Sequence, residues 1–159
     1  MNTRANYQKL GLESMRALIA LNNSLAESSL GHTIIDLVNI RTSQLNGCLF
    51  CLDKHTKEAR IHGERELRLY HLPLWRESGL FSERERAALE WTELVTRTGQ
   101  HSIEDTDYEK LAAHFTEKEI VDLTFAVTSM NAWNRIGITF KPVPGSRDKV
   151  LGLDKSGLH

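Results

Sequence analysis

At 159 residues with 40% apolar side chains, the chain is long enough for one domain with its own core. Its 20 basic and 21 acidic residues nearly balance, and no basic stripe gathers them, which argues against nucleic acid as a partner. No apolar run approaches membrane-spanning length and the N-terminus lacks the apolar block of a signal peptide, so a cytoplasmic protein with no membrane partner is expected.

Residues 1–10 are polar and read as a lead-in or a frayed first helix. From 12 to 26, Met15, Leu18, Leu21 and Leu25 recur at helical spacing and form one apolar stripe. Ser28-Ser29-Leu30-Gly31 breaks that helix. His32 to Gln44 is apolar on more than one face and reads as a buried helix. Asn46-Gly47 is a turn signal, with Asn expected to cap the helix that follows. Cys48 to Gly63 has no proline and continues as helix, so these two helices form a hairpin that brings Asp36 toward the cysteines.

Residues 64–72 form a short helix ended by Pro73, and 75–82 a connection. Ser82 with Glu85 is a capping box opening a helix to Thr98, where Gly99 stops it. Asp105 or Thr106 caps a helix through Phe115. Thr116 with Glu119 is a second capping box, opening a helix from Glu117 to about Ile136. All three prolines fall in connections or the tail. The expectation is an all-α protein with one compact domain over 1–144 and a mobile tail over 145–159.

The chemistry gathers at Cys48, Cys51 and His55. Both cysteines of the chain lie in one Cys-x-x-Cys, which in a cytosolic protein is more often redox-active or metal-binding than a staple. Cys48 in a first helical turn meets unpaired N–H groups and the positive end of the dipole, which favour the thiolate. Cys51 and His55 stand i, i+4 on one face, within reach for proton exchange. The dipole favours Cys48 as nucleophile and the imidazole favours Cys51. A general base outweighs a dipole of roughly 0.3–1 kcal/mol, so Cys51 is preferred.

The sequence also resembles the AhpD-like alkylhydroperoxidases of the carboxymuconolactone decarboxylase superfamily. The likeness is carried by Asp36-Leu37-Val38, by Arg41-x-Ser43-Gln44-x-Asn46-Gly47-Cys48-x-x-Cys51-x-x-x-His55, by Trp75-Arg76-Glu77 and by the blocks around Trp91 and Trp133. The resemblance implies an all-helical AhpD-like fold assembled into trimers or hexamers. It also implies reduction of hydroperoxides by a cysteine pair, with no metal, no other cofactor, and recharging by an external dithiol such as a lipoylated protein. It makes Cys51 the peroxidatic and Cys48 the resolving cysteine, and His55 the proton relay. Asp36 stands where those members have a glutamate, so the reading has it orienting His55. Phe50 stands where they have a second relay histidine.

Other readings compete. The cysteines could be small buried apolar residues, or Cys48, Cys51, His55 and Asp36 a zinc set. The same pair would serve a general disulfide reductase or redox sensor, and a helical oligomerisation module would need neither thiol. Decarboxylation is the weaker family activity here, because the superfamily's decarboxylases lack the pair. His32, His62, His71, His101 and His114 read as ordinary or surface residues. Glu93 reads as an exposed helix carboxylate, and Trp91, Trp133 and Phe125 as core.

Overall fold

The computed structural model describes residues 4–100 and 102–158, and His101 lies outside them. Its elements run α1 (Tyr7–Leu10), α2 (Leu12–Ala26), α3 (Gly31–Asn46), α4 (Leu49–Ile61), α5 (Glu66–His71), a 3-10 turn (Leu72–Glu77), α6 (Glu83–Thr96), α7 (Asp105–Ala112), α8 (Glu117–Phe140), α9 (Asp148–Leu151) and a second 3-10 turn (Leu153–Ser156). No strand occurs among the described residues, and none of their helices is long and apolar enough to cross a membrane.

The two capping boxes form as their spacing requires. Ser82 accepts from the Glu85 N–H while Glu85 reaches back, and Thr116 and Glu119 do the same at α8. Each satisfies orphan N–H groups that would otherwise fray the helix. Helix α8 runs to Phe140, four residues beyond the expected end, because no glycine-type stop precedes Lys141 in the left-handed region.

Helix α3 is the axis, packed on α4, α6 and α8. Its apolar residues on several faces are what this position demands. One face joins Leu25, Trp91, Phe115 and Leu123 in the larger core. Another joins Leu37 and Ile40 to Leu72, Trp75 and Leu89. Burying an aliphatic side chain of this kind is worth about 1.5–3 kcal/mol, and α3 supplies several to each core.

The segment expected to be a mobile tail is ordered. Helix α9 and the second 3-10 turn fold back so that the turn packs on α4, and Leu153 is buried. Lys57 of α4 holds this strap through Asp148 at 2.7 Å and its own helix through Asp53 at 2.9 Å. The Gly145 N–H donates to Asp53 at 3.1 Å. Phe125, expected in the core, is half exposed on α8.

Candidate active site

Gly47, at φ 69°, ends α3 in the left-handed conformation that glycine adopts without a Cβ penalty. Asn46 is the last residue of α3 and does not cap α4. Its Nδ2 donates to Asn131 and Asn134 of α8, each at 2.9 Å. The fully buried Asn134 donates in turn to Ser43 Oγ at 3.1 Å, so amides tie the α3 end to α8.

Cys48 occupies the N-cap position itself, with extended dihedrals, and Cys51 lies in the first turn of α4. No side chain caps this turn, so its free N–H groups face the sulfurs' end of the helix. The two sulfurs are bonded to each other, with Cα atoms 5.4 Å apart, and both residues are buried, 2% and 4% exposed. They pack with Phe50, Met130 and Trp133.

Gly137 of α8 makes that packing possible. A Cβ there would lie 2.7 Å from Cys48 Sγ and 3.2 Å from Cys51 Sγ. A glycine inside a helix costs about 1 kcal/mol relative to alanine, and here it creates the space the disulfide occupies. Trp133 O lies 3.9 Å from Cys51 Sγ, an acceptor for the thiol proton once the bond is reduced.

One turn after Cys51 the buried His55 brings Nδ1 to 2.6 Å from Glu58 Oε2. The contact is close but off the axis of a hydrogen bond, so it is an electrostatic approach rather than an aligned donor–acceptor pair. Burial first, and then Lys54, push the imidazolium of His55 below its ordinary range, against Glu58. Burial pushes Glu58 up, but His55 and Lys54 outweigh it and hold its carboxyl down to about 2. The two shifts compete for one proton. Lys54 already neutralises the carboxylate, so the resting pair is a neutral ring beside an ionised Glu58.

Asp36 is not the residue that orients His55. Its Oδ2 lies 2.7 Å from His62 Nδ1, and the ring of His62 lies 4.4 Å from that of His32. Asp36 is 4% exposed, and burial raises its carboxyl above the usual range despite His62. His62 lies at the surface, as expected, with Asp36 as its partner. Glu58 is the carboxylate the sequence reading missed, although its place three residues after His55 on a helix was a usable signal.

These groups share one cavity of about 310 Å³ between α2, α3, α4 and α8. His32, Asp36, Lys54, His55, Glu58 and His62 line its polar side; Leu25, Ile35, Ala126, Met130 and Trp133 line the apolar side. Met130 and Trp133 also touch the cysteine cluster, which places the disulfide behind this wall. Neither cysteine lines this cavity itself. A different cavity, about 350 Å³ between α6 and α7, has only His114 among imidazoles. Among the described residues no three His, Cys, Asp or Glu side chains gather to hold a metal.

Glu93 departs most from expectation. It is buried at the junction of α3, α6 and the first 3-10 turn. It accepts from Arg41 Nε at 2.9 Å, Trp75 Nε1 at 2.8 Å and Arg76 Nη1 at 2.8 Å. Burial raises its carboxyl, but these three donors outweigh it and hold it low.

A buried disulfide at a helix N-terminus, with an imidazole one turn along, defines a helical thiol–disulfide protein. The sequence matches the carboxymuconolactone decarboxylase family over residues 13–94, and the chain belongs to that family in its AhpD-like form. It is 38% identical over 138 residues to the uncharacterized protein YdfG of Bacillus subtilis, across 87% of this chain and 94% of that one. A crystal structure of an Agrobacterium tumefaciens protein of unknown function, provisionally called antioxidant defence protein AhpD, superposes with a TM-score of 0.86. The two are 40% identical, over 90% of this chain and 98% of the other. An uncharacterized peroxidase-related protein from Silicibacter superposes at 0.76 with 26% identity, over 86% and 72%.

Proposed function

We propose that the protein is a cysteine-based peroxidase that reduces organic hydroperoxides. The observation that carries this reading is the buried Cys48–Cys51 disulfide, with His55 one turn along α4 and the cavity lined by His55 behind Met130 and Trp133. In the reduced protein, His55 takes the Cys51 proton, with Glu58 beside its Nδ1 to stabilise the imidazolium that forms. The Cys51 thiolate attacks the terminal peroxide oxygen, the O–O bond breaks, and the other oxygen takes the proton from His55 and leaves as an alcohol, so that Cys51 becomes a sulfenic acid. Cys48 displaces water from it and closes the disulfide.

Burial of both sulfurs supports a small oxidant over a protein disulfide, and so favours peroxidase over general disulfide reductase. The same burial calls for a slender reductant, such as a dithiol on a flexible arm, of which a lipoylated protein is one form. Exposed apolar side chains on the adjoining helices α2 (Leu12, Ile19) and α8 (Val121, Phe125) support self-assembly, as a trimer or hexamer.

The test is consumption of cumene hydroperoxide with dihydrolipoamide as reductant. Cys51→Ser is expected to abolish it. Cys48→Ser is expected to stop turnover while leaving a sulfenic acid on Cys51 that dimedone traps. Unchanged consumption in Cys51→Ser, or a single stoichiometric oxidation of the wild type without turnover, would sink the reading.

A further inference from the structure

On the peroxidase reading, on which this inference rests, a hydroperoxide must bring its terminal oxygen to Cys51 Sγ. Yet the cavity that His55 lines is lined by neither cysteine. Met130 and Trp133 stand between, since both line the cavity and both pack on the cysteines. The two are held differently. Met130 is 2% exposed, fixed among core side chains, and displacing it would open a void. Trp133 is only partly buried, and one hydrogen bond tethers its ring. Its Nε1–H donates to Asn22 Oδ1 of α2 at 3.3 Å, and Ser129 Oγ, one turn earlier on α8, donates to the same oxygen at 2.5 Å. Asn22 is exposed on α2 and lines the cavity, so water competes for that oxygen. The backbone of Trp133 stays against the site, with its carbonyl oxygen 3.9 Å from Cys51 Sγ. The ring is therefore the one part of this wall that can turn without moving a helix or breaking a core.

We propose that Trp133 is a gate between the cavity and Cys51, latched by Asn22, and that it sets which peroxides reach the thiolate. With the latch made, the indole and Met130 wall off the sulfurs, and only an oxidant near the size of hydrogen peroxide passes. With the latch broken, the indole turns toward solvent and the cavity becomes continuous with Cys51. An organic hydroperoxide then keeps its apolar group against Leu25, Ile35 and Ala126 while its terminal oxygen meets the sulfur. Trp133 is a specificity-determining residue and Asn22 a positioning residue; neither makes or breaks a bond to the substrate. One exposed hydrogen bond favours the closed state by a small factor only, so the gate opens often enough for turnover.

The test measures access to Cys51 apart from peroxide chemistry. In full-length protein carrying Cys48→Ser, the Cys51 thiol is alkylated with iodoacetamide, which is small, or with N-phenylmaleimide, which carries an aromatic ring. Asn22→Leu keeps the size of the side chain, removes the acceptor and leaves Trp133 in place. It is expected to raise the maleimide rate relative to the iodoacetamide rate about two- to tenfold, the factor that one hydrogen bond of ordinary net strength gives. Trp133→Phe, a shorter ring with no donor, is expected to raise it at least as much. In single turnover of the reduced protein with both cysteines, the cumene hydroperoxide rate relative to the hydrogen peroxide rate should rise in the same two variants. An unchanged alkylation ratio in Asn22→Leu and Trp133→Phe, whether both reagents speed up or neither does, would overturn the inference. Wild type that consumes neither peroxide, while the alkylation ratios shift as expected, would overturn the peroxidase reading and support Trp133 as the gate to the thiol.

Discussion

Carboxylates meet at two places along α3, and they differ in what they are paired with. Glu93 is surrounded by Arg41, Arg76 and the Trp75 N–H. Guanidinium does not give up its proton in a protein, so that cluster has one charge state and one geometry. Asp36 and Glu58 are paired with His62 and His55, imidazoles that, unlike guanidinium, can both donate and accept a proton. The arginine cluster can only hold elements together. The histidine side is the one the proposed chemistry draws on, through groups whose charges are less securely fixed.

The largest effect that would sharpen this contrast is on stability. Glu93→Ala strands the Arg41 charge and the Trp75 donor in a buried site, and is expected to cost about 3–5 kcal/mol in urea unfolding. The peroxide rate per folded molecule should stay near wild type. A variant that folds normally but loses activity would put Glu93 on the chemical side and break the contrast.

Glu58→Gln should reach the chemistry instead. It is expected to lower kcat/KM on the order of tenfold to a hundredfold, or about 1.4–2.7 kcal/mol of transition-state stabilisation, and to lower stability at pH 7 as well, where the ionised carboxylate contributes. The acid limb supplies a further readout. Glu58 has a folded pKa of about 2 against an ordinary 4.5, so its contribution is present above pH 4.5 and fades as pH falls toward 2. His55, with its pKa lowered, adds loss in the same direction as pH falls through 6.5. Asp36 has the opposite sign: its raised pKa makes ionisation costly, so its contribution declines as pH rises through that value. Urea midpoints from pH 7 to 3 should therefore fall less steeply below pH 4.5 in Glu58→Gln than in wild type.

The smallest of the three is Gly137→Ala. The new methyl would overlap Cys48 Sγ and crowd Cys51 Sγ, and is expected to cost about 1–3 kcal/mol. Thermal unfolding of the oxidised protein measures it. A neutral or stabilising result would mean that the sulfurs yield freely.

The helices and the cysteine motif were legible because both are local. Capping boxes, apolar stripes and the Cys-x-x-Cys spacing lie within single turns of chain. The partner of Asp36 was not, since it depends on where the far end of α4 meets α3, twenty-six residues away. Nor was Glu93, whose Trp75 and two arginine partners lie on other elements; on its own helix it looked like a solvated charge. Gly137 did leave a trace: a glycine inside an otherwise unbroken helical stripe usually has a packing reason. The strap over α4 left almost none, because its helices are single turns separated by left-handed glycines and show no periodicity.

The roof over the sulfurs has a consequence in time. Cys48 and Cys51 emerge from a ribosome well before residues 117–140 supply the α8 surface that encloses them, and before 148–156 brace α4 from the other side. At about 5–20 residues per second, a nascent chain holds a bare dithiol open to any passing oxidant for several seconds. A chain shortened before Asp148 would keep its cysteines but lose the brace on the helix that presents them.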